Sequence, residues 1–158
     1  MDSEYSRLER NFNSLHIIDR YKNILKSEGF YKEYFMNNTH CILKRNSLGC
    51  WCGYVALSKN HQDYNVIVDD LYHYSVHGGI NYFGDVATDN INMKGYKWLG
   101  FDCGHYNDVS PTNILKDFDD GYAVYRDLEY VENELDSLSL QVYNRSLSKK
   151  IKDVFKKL

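Results

Sequence analysis

Between Ser3 and Ser27 the apolar residues Leu8, Phe12, Leu15, Ile18 and Leu25 recur at near-helical spacing with charged residues between them. The pattern predicts an N-terminal helix, capped by Asp2 or Ser3 and ended by Gly29, within a helical segment covering residues 1–38. From residue 39 the period changes. Thr39–Lys44, the turn-like Arg45–Gly49 and the run Cys50–Leu57 read as a β-hairpin, since a short connection joins two stretches rich in strand formers. Alternation then sets Cys50, Cys52 and Tyr54 on one face and Trp51, Gly53 and Val55 on the other. Leu71–Val76 is expected as a further strand, turning at Gly78-Gly79 into a partner over Ile80–Phe83, with Tyr96–Cys103 as the next strand.

The polar stretches Ser58–Asp70, Gly84–Gly95 and Asn107–Asp120 are expected as loops; the last holds the only proline, Pro111, and is expected over or beside the site. After Gly121 the residues Leu128, Val131, Leu135, Leu138 and Val142 step by 3, 4, 3 and 4, which predicts a helix over 121–145 with one stripe for packing. A basic tail, 146–158, follows. Helix, strands and helix in that order predict a single α+β domain over residues 1–158. Its core would be an antiparallel sheet of about four to six strands, carried by residues 39–108, with the N-terminal and C-terminal helices packed on it.

Composition narrows the function classes. A chain of 158 residues with 43% hydrophobic and 26% charged residues buries a core without needing a metal or disulfides. The formal net charge of -3 provides no overall positive field, so duplex nucleic acid is not expected as a partner. No apolar run reaches the roughly 18–20 residues that span a bilayer, so no membrane is expected. Met1–Arg10 lacks the basic and apolar regions of a signal peptide, and the expected location is the cytoplasm. There Cys41, Cys50, Cys52 and Cys103 stay reduced. The 15 tyrosines offer flat faces with a hydroxyl, suited to a core and equally to a pocket for a planar ligand.

Candidate chemistry concentrates in Val76–Asp108. His77 precedes Gly78-Gly79, where the chain can turn sharply and expose backbone amides to a ligand oxygen; the plainer role of that imidazole is to hydrogen-bond a hairpin turn. Asp102, His105 and Asp108, three residues apart, suit a turn in which a carboxylate fixes one imidazole tautomer, or one in which both carboxylates simply satisfy loop amides. Cys52 and Cys103 are first of all small buried hydrophobes; a thiolate nucleophile activated by His77 or His105 is the reactive alternative. A metal site from Cys50 or Cys52 with Cys103, His77 and His105 has suitable donors but no CxxC or HExxH spacing, so no metal and no cofactor is expected. Arg126 opens the C-terminal helix, where it either meets a phosphate or carboxylate or pairs with Glu129. Trp51, Tyr54, Tyr82 and Trp98 are read mainly as packing, with stacking on a planar ring as the second role. Walker, dinucleotide GxGxxG and GxSxG patterns are absent.

Taken together, Cys41-Ile42-Leu43-Lys44-Arg45, Cys52-Gly53-Tyr54-Val55, Val76-His77-Gly78-Gly79, Gly100-Phe101-Asp102-Cys103, His105, Asp108 and Tyr125-Arg126 with Leu128-Glu129-Tyr130-Val131 resemble a group of short phage and prophage proteins. The resemblance spans about Cys41–Tyr143; Ile80, Gly104, Tyr106 and Asn107 depart from its usual form. It implies a phage-type accessory protein acting in the host cytoplasm. With the aromatic, imidazole and guanidinium mixture, the expected activity is capture of a small polar ligand, first a nucleotide or nucleotide-derived host defence signal. The expected contacts are His77, Gly78, Gly79, Tyr82, Asp102, His105, Asp108 and Arg126. The enzymatic alternative is a hydrolase in which His77 and His105 act as acid and base and Asp102 orients one of them. An inhibitor of a host protein is the other alternative, and the amphipathic C-terminal helix makes a homo-oligomer conceivable.

Overall fold

Alternating residues of Tyr31–Met36 are exposed and half-buried, the signature of a strand with one wet face, and this is where the sheet begins. The computed structural model describes residues 18–88, 93–113 and 123–158. Residues 18–28 form helix α1, and Gly29, at φ +79°, ends it with its amide on the Leu25 carbonyl at 3.0 Å. The remainder of the expected N-terminal helix, the tip of the 84–95 loop and residues 114–122 lie outside the described residues. Strand β1 (Tyr31–Met36) pairs with β2 (Thr39–Arg45), β2 with β3 (Trp51–Leu57), β3 with β5 (Lys97–Asp102), and β5 with β4 (Tyr82–Gly84). All pairings are antiparallel, in the order β1-β2-β3-β5-β4. Helix α2 (Leu128–Lys156) crosses one face, and the whole is a single α+β domain.

The β2–β3 hairpin follows the expected alternation. Trp51, Val55 and Leu57 join Leu43, Leu99 and Phe101 beneath α2, which contributes Val131, Leu135, Leu138 and Val142. On the opposite face Ile42, Ala56 and Trp98 pack with Met93 and, less deeply, with Tyr54. Gly53 sits where a Cβ would come within 2.3 Å of the Phe101 ring, so the ring lies flat on the strand only because that side chain is missing.

Three expected boundaries are corrected. The segment 1–38 is not wholly helical, because β1 occupies Tyr31–Met36. Asn37 and Asn38, at φ 50° and 55°, form the two-residue loop that joins β1 to β2, and both tolerate the left-handed conformation such a hairpin turn requires. Leu71–Val76 is not a strand. Leu71 and Tyr74 are its buried residues, spaced three apart in a turn, and the Ser75 backbone bonds the Gln141 side chain of α2 instead of a neighbouring strand. The partner of the 82–84 strand is therefore β5. Finally, α2 begins at Leu128 and runs to Lys156, so the tail continues the helix and exposes Ile151, Val154, Phe155 and Leu158 at its end. Asp127 caps it by accepting the Tyr130 amide at 2.9 Å.

The irregular segment between β3 and β4 is fastened along α2. His61 bonds the Val142 carbonyl at 3.0 Å, Gln141 bonds Ser75 in both directions, and Arg145 grips the Asp63 carboxylate at 2.7 and 2.9 Å. Tyr74 donates a further bond to Asp63. Burial pushes the Asp63 carboxyl up, but the bonds from Arg145 and Tyr74 outweigh it and hold the pKa at about 2, against an ordinary 3.8. A carboxyl lowered on folding stabilises the native state above its unfolded pKa and loses that contribution as pH falls through the folded one. About 2 kcal/mol should therefore disappear between roughly pH 4 and pH 2. Urea midpoints measured at pH 5, 3 and 2 should fall by this much more in the native chain than in Asp63→Asn. Parallel curves would show that Asp63 is solvated rather than clamped.

Candidate functional site

Beyond Asp102 the chain leaves β5 and reverses through a turn closed by the Asp108 amide on the His105 carbonyl, at 2.9 Å. Asp108 then forms an isolated bridge with Val124, flanked by backbone bonds Val109 to Val124 at 2.9 Å and Val124 to Asn107 at 2.8 Å. That bridge holds 123–127 extended and delivers Arg126 to the carboxylate just before α2 starts. From the other side comes the turn at His77, closed by the Gly79 amide on the Val76 carbonyl at 2.9 Å and tied to α2 through the His77 amide and Glu134 at 3.2 Å. Gly78 and Gly79 have φ of +68° and +79°. A Cβ at Gly78 would lie 2.1 Å from the His105 ring, so glycine is required there both for the turn and for the approach of that imidazole.

Asp108 is the centre of the assembly. Its side chain is 1% exposed, yet its Oδ2 accepts from His77 Nε2 at 2.7 Å and the His105 amide at 3.0 Å, with His105 Nδ1 at 3.3 Å; its Oδ1 accepts from Arg126 Nε at 2.9 Å. Burial pushes its carboxyl up, but the bonds from His77, Arg126 and the His105 amide outweigh it and hold the pKa below the usual carboxylate range. An ionised Asp108 only accepts, so a neutral His77 ring carries its proton on Nε2 and takes the Tyr130 hydroxyl proton at Nδ1, 2.8 Å away. The His77 and His105 rings stand 5.4 Å apart, and the Arg126 guanidinium lies 4.8 Å from the Tyr130 ring centre. His105 is the member that reaches solvent, with its side chain 40% exposed against 13% for His77.

The expected residues thus divide. His77, Gly78, His105, Asp108 and Arg126 come together. Asp102 lies beside them, its Oδ1 3.7 Å from His105 Nδ1, because the chain leaves the regular strand after it and brings His105 back past its side chain. Its oxygens are engaged by the Gly104 amide and by Asn81. Tyr82 does not join the cluster: it packs edge-on against Tyr54 at 5.6 Å, and its hydroxyl bonds the Asp85 carbonyl. The described part of the proline-bearing loop starts inside the cluster at Asp108 and runs on beside it against the Arg45–Gly49 turn, with Ser110 and Thr112 bonded to the Leu48 carbonyl. Tyr130 was not among the expected contacts, although the sequence sets it four residues after Arg126 in the same motif.

The four cysteines have the surroundings of structural thiols. None is in a disulfide, all four are buried, and burial raises the Cys52 thiol to about 11 and the Cys103 thiol further still. Trp51 and Trp98 are core residues with no open face.

Among the described residues, two of the cavities are of small-molecule size. The larger, about 550 Å³, is lined by Phe35, His40, Tyr96 and the Tyr143, Lys149 and Lys150 side of α2, and contains none of the expected site residues. The other, about 490 Å³, is lined by Leu71, Tyr72, Tyr74, Gly79, Ile80 and Asn81 among others. It shares the 77–81 turn with the cluster: the turn's first residue binds Asp108, and its last three line the cavity. No helix among the described residues is long and apolar enough to cross a membrane.

No family model, curated protein or solved structure matches the chain.

Proposed function

We propose that the protein captures a small phosphate-bearing ligand, a nucleotide or nucleotide-derived signal, across the turn at residues 77–81. The observation that carries this reading is the adjacency just described. A cavity of about 490 Å³, within the range of small-molecule pockets, opens beside a cluster that holds two imidazoles and a guanidinium. Tyr72, 86% exposed at the cavity, offers a face on which a base stacks. His105 and Arg126 are the groups that meet a phosphate, while His77 and Asp108 hold them in position. A host-side signal is the ligand that goes with the proposal of a phage-type protein, and four cysteines outside any disulfide suit the cytoplasm.

A second reading, hydrolysis of the same ligand, is favoured by the 2.7 Å pair of His77 and Asp108, the arrangement in which a carboxylate orients a general base. Thermal unfolding of the protein with a panel of nucleotides and inorganic phosphate separates these outcomes. A ligand at 100 times its dissociation constant should stabilise the fold by about 2.7 kcal/mol. Arg126→Ala and Tyr72→Ala should each diminish that shift. Chromatography of the denatured mixture should recover the ligand intact; fragments that vanish with His77→Ala would replace capture by hydrolysis. The absence of any nucleotide or phosphate shift would remove both.

A further inference from the structure

His77, His105 and Asp108 each offer one ligating atom, and these three atoms lie within 4.8 Å of one another. The two separations to the carboxylate oxygen are 2.7 and 3.3 Å. Nitrogen and oxygen donors sit about 2.0–2.2 Å from a bound transition metal, so two donors on one ion stand roughly 3 Å apart at right angles and somewhat more at a tetrahedral angle. The 3.3 Å separation already matches shared ligation, and the 2.7 Å one is a few tenths of an ångström short of it. The remaining adjustment falls on His105, whose exposed ring has room to turn.

We propose that His77, His105 and Asp108 form a binding site for a divalent transition-metal ion, with the open coordination positions facing solvent. The inference rests on reading this cluster as the functional site and adds to it the group that would hold a phosphate oxygen. Three features support ligation over simple hydrogen bonding. Two of the three donors have their other atom already held: Tyr130 on His77 Nδ1 at 2.8 Å and Arg126 on Asp108 Oδ1 at 2.9 Å, the kind of outer partners that orient metal ligands. Tyr130 suits either state: when the ring proton moves from Nε2 to Nδ1 and the Nε2 lone pair binds the ion, the hydroxyl accepts from Nδ1 instead of donating to it. The fold also makes room for His105 at a cost, using a left-handed glycine at Gly78 to admit an imidazole whose own bond to Asp108 is long, 3.3 Å. Asp102, 3.7 Å from His105 Nδ1, stands ready to accept from an ion-bound water. Two imidazoles and one carboxylate select zinc, manganese, iron(II), cobalt or nickel over calcium or magnesium. With open positions, such a site polarises a phosphoryl oxygen or acidifies a water.

The test is titration of the chelator-stripped full chain with Co²⁺ and Zn²⁺ in phosphate-free buffer, read by visible absorption and by calorimetry. One equivalent should bind and raise the melting temperature. His105→Ala should weaken binding at least about tenfold, and with its ring 40% exposed this variant keeps the fold. His73→Ala, in the separate Asp63 cluster, should bind as the native chain does. No binding, or equal binding by His105→Ala, overturns the site. The two proposals fail separately. Metal bound with no nucleotide response at any metal loading leaves the site and removes the ligand. A nucleotide response in the presence of chelator, together with no metal binding, does the reverse.

Discussion

Asp108→Ala should cost about 3 kcal/mol of folding stability, the lower end of the range for breaking a buried ion pair. The carboxylate is 1% exposed, and its removal leaves His77, the His105 amide and Arg126 facing a dry void. Arg126 is 25% exposed and recovers part of its hydration, which is why the upper end of the range, about 5 kcal/mol, is not expected. Asp108→Asn keeps the shape but turns an amide donor toward groups that themselves donate, so it should fall between the native chain and the alanine variant. His105→Ala should change stability by no more than about 0.5 kcal/mol, because an exposed ring contributes little. Urea midpoints for the three variants give the order directly. An Asp108→Ala loss below about 1 kcal/mol would mean that water already satisfies these donors, and the cluster could not be preorganised for any ligand.

Trp51→Ala should have the larger effect, about 5 kcal/mol, enough to leave a domain of ordinary stability mostly unfolded at 37 °C. Its side chain is fully buried under α2, and large-to-small changes at such positions cost both transfer energy and a cavity. The indole also anchors α1: its Nε1 donates to Glu28 at 2.9 Å, and the Arg45 guanidinium lies 4.1 Å from the ring. Glu28 simultaneously accepts from Arg45 and Tyr125, both at 2.9 Å. Trp51→Phe keeps most of the volume and loses the donor, so it should cost about 1–2 kcal/mol. Circular dichroism melts of both variants check this. Equal losses for the two would mean that the Glu28 bond, and not packing, dominates at this position.

The parts of the fold legible in the chain are those encoded by neighbours. The α2 stripe came through because Val131, Leu135, Leu138 and Val142 are the residues that the helix buries. The β2–β3 hairpin came through because its side chains divide between the two faces as alternation assigns, although both faces are packed. Leu71–Val76 misleads since aromatic and apolar residues suit a strand, while burial at Leu71 and Tyr74 follows a turn fastened to a helix far along the chain. Strand β1 was written in Asn37-Asn38, but the adjacent charges of Lys32 and Glu33 broke the alternation that would have revealed it.

By itself the sequence determined that His77, His105, Asp102, Asp108 and six of the ten glycines fall within residues 76–108, since chemistry and backbone freedom are properties of single residues. Only the tertiary structure decided that Asp108, not Asp102, is their centre, that Tyr130 completes the group and that Tyr82 stands outside it. The reason is separation: His77 meets Asp108 across 31 residues, Tyr130 across 53, and Arg126 reaches Asp108 across 18. Those meetings depend on the Val124 bridge, the start of α2 and the path of the chain after β5, none of which local periodicity encodes.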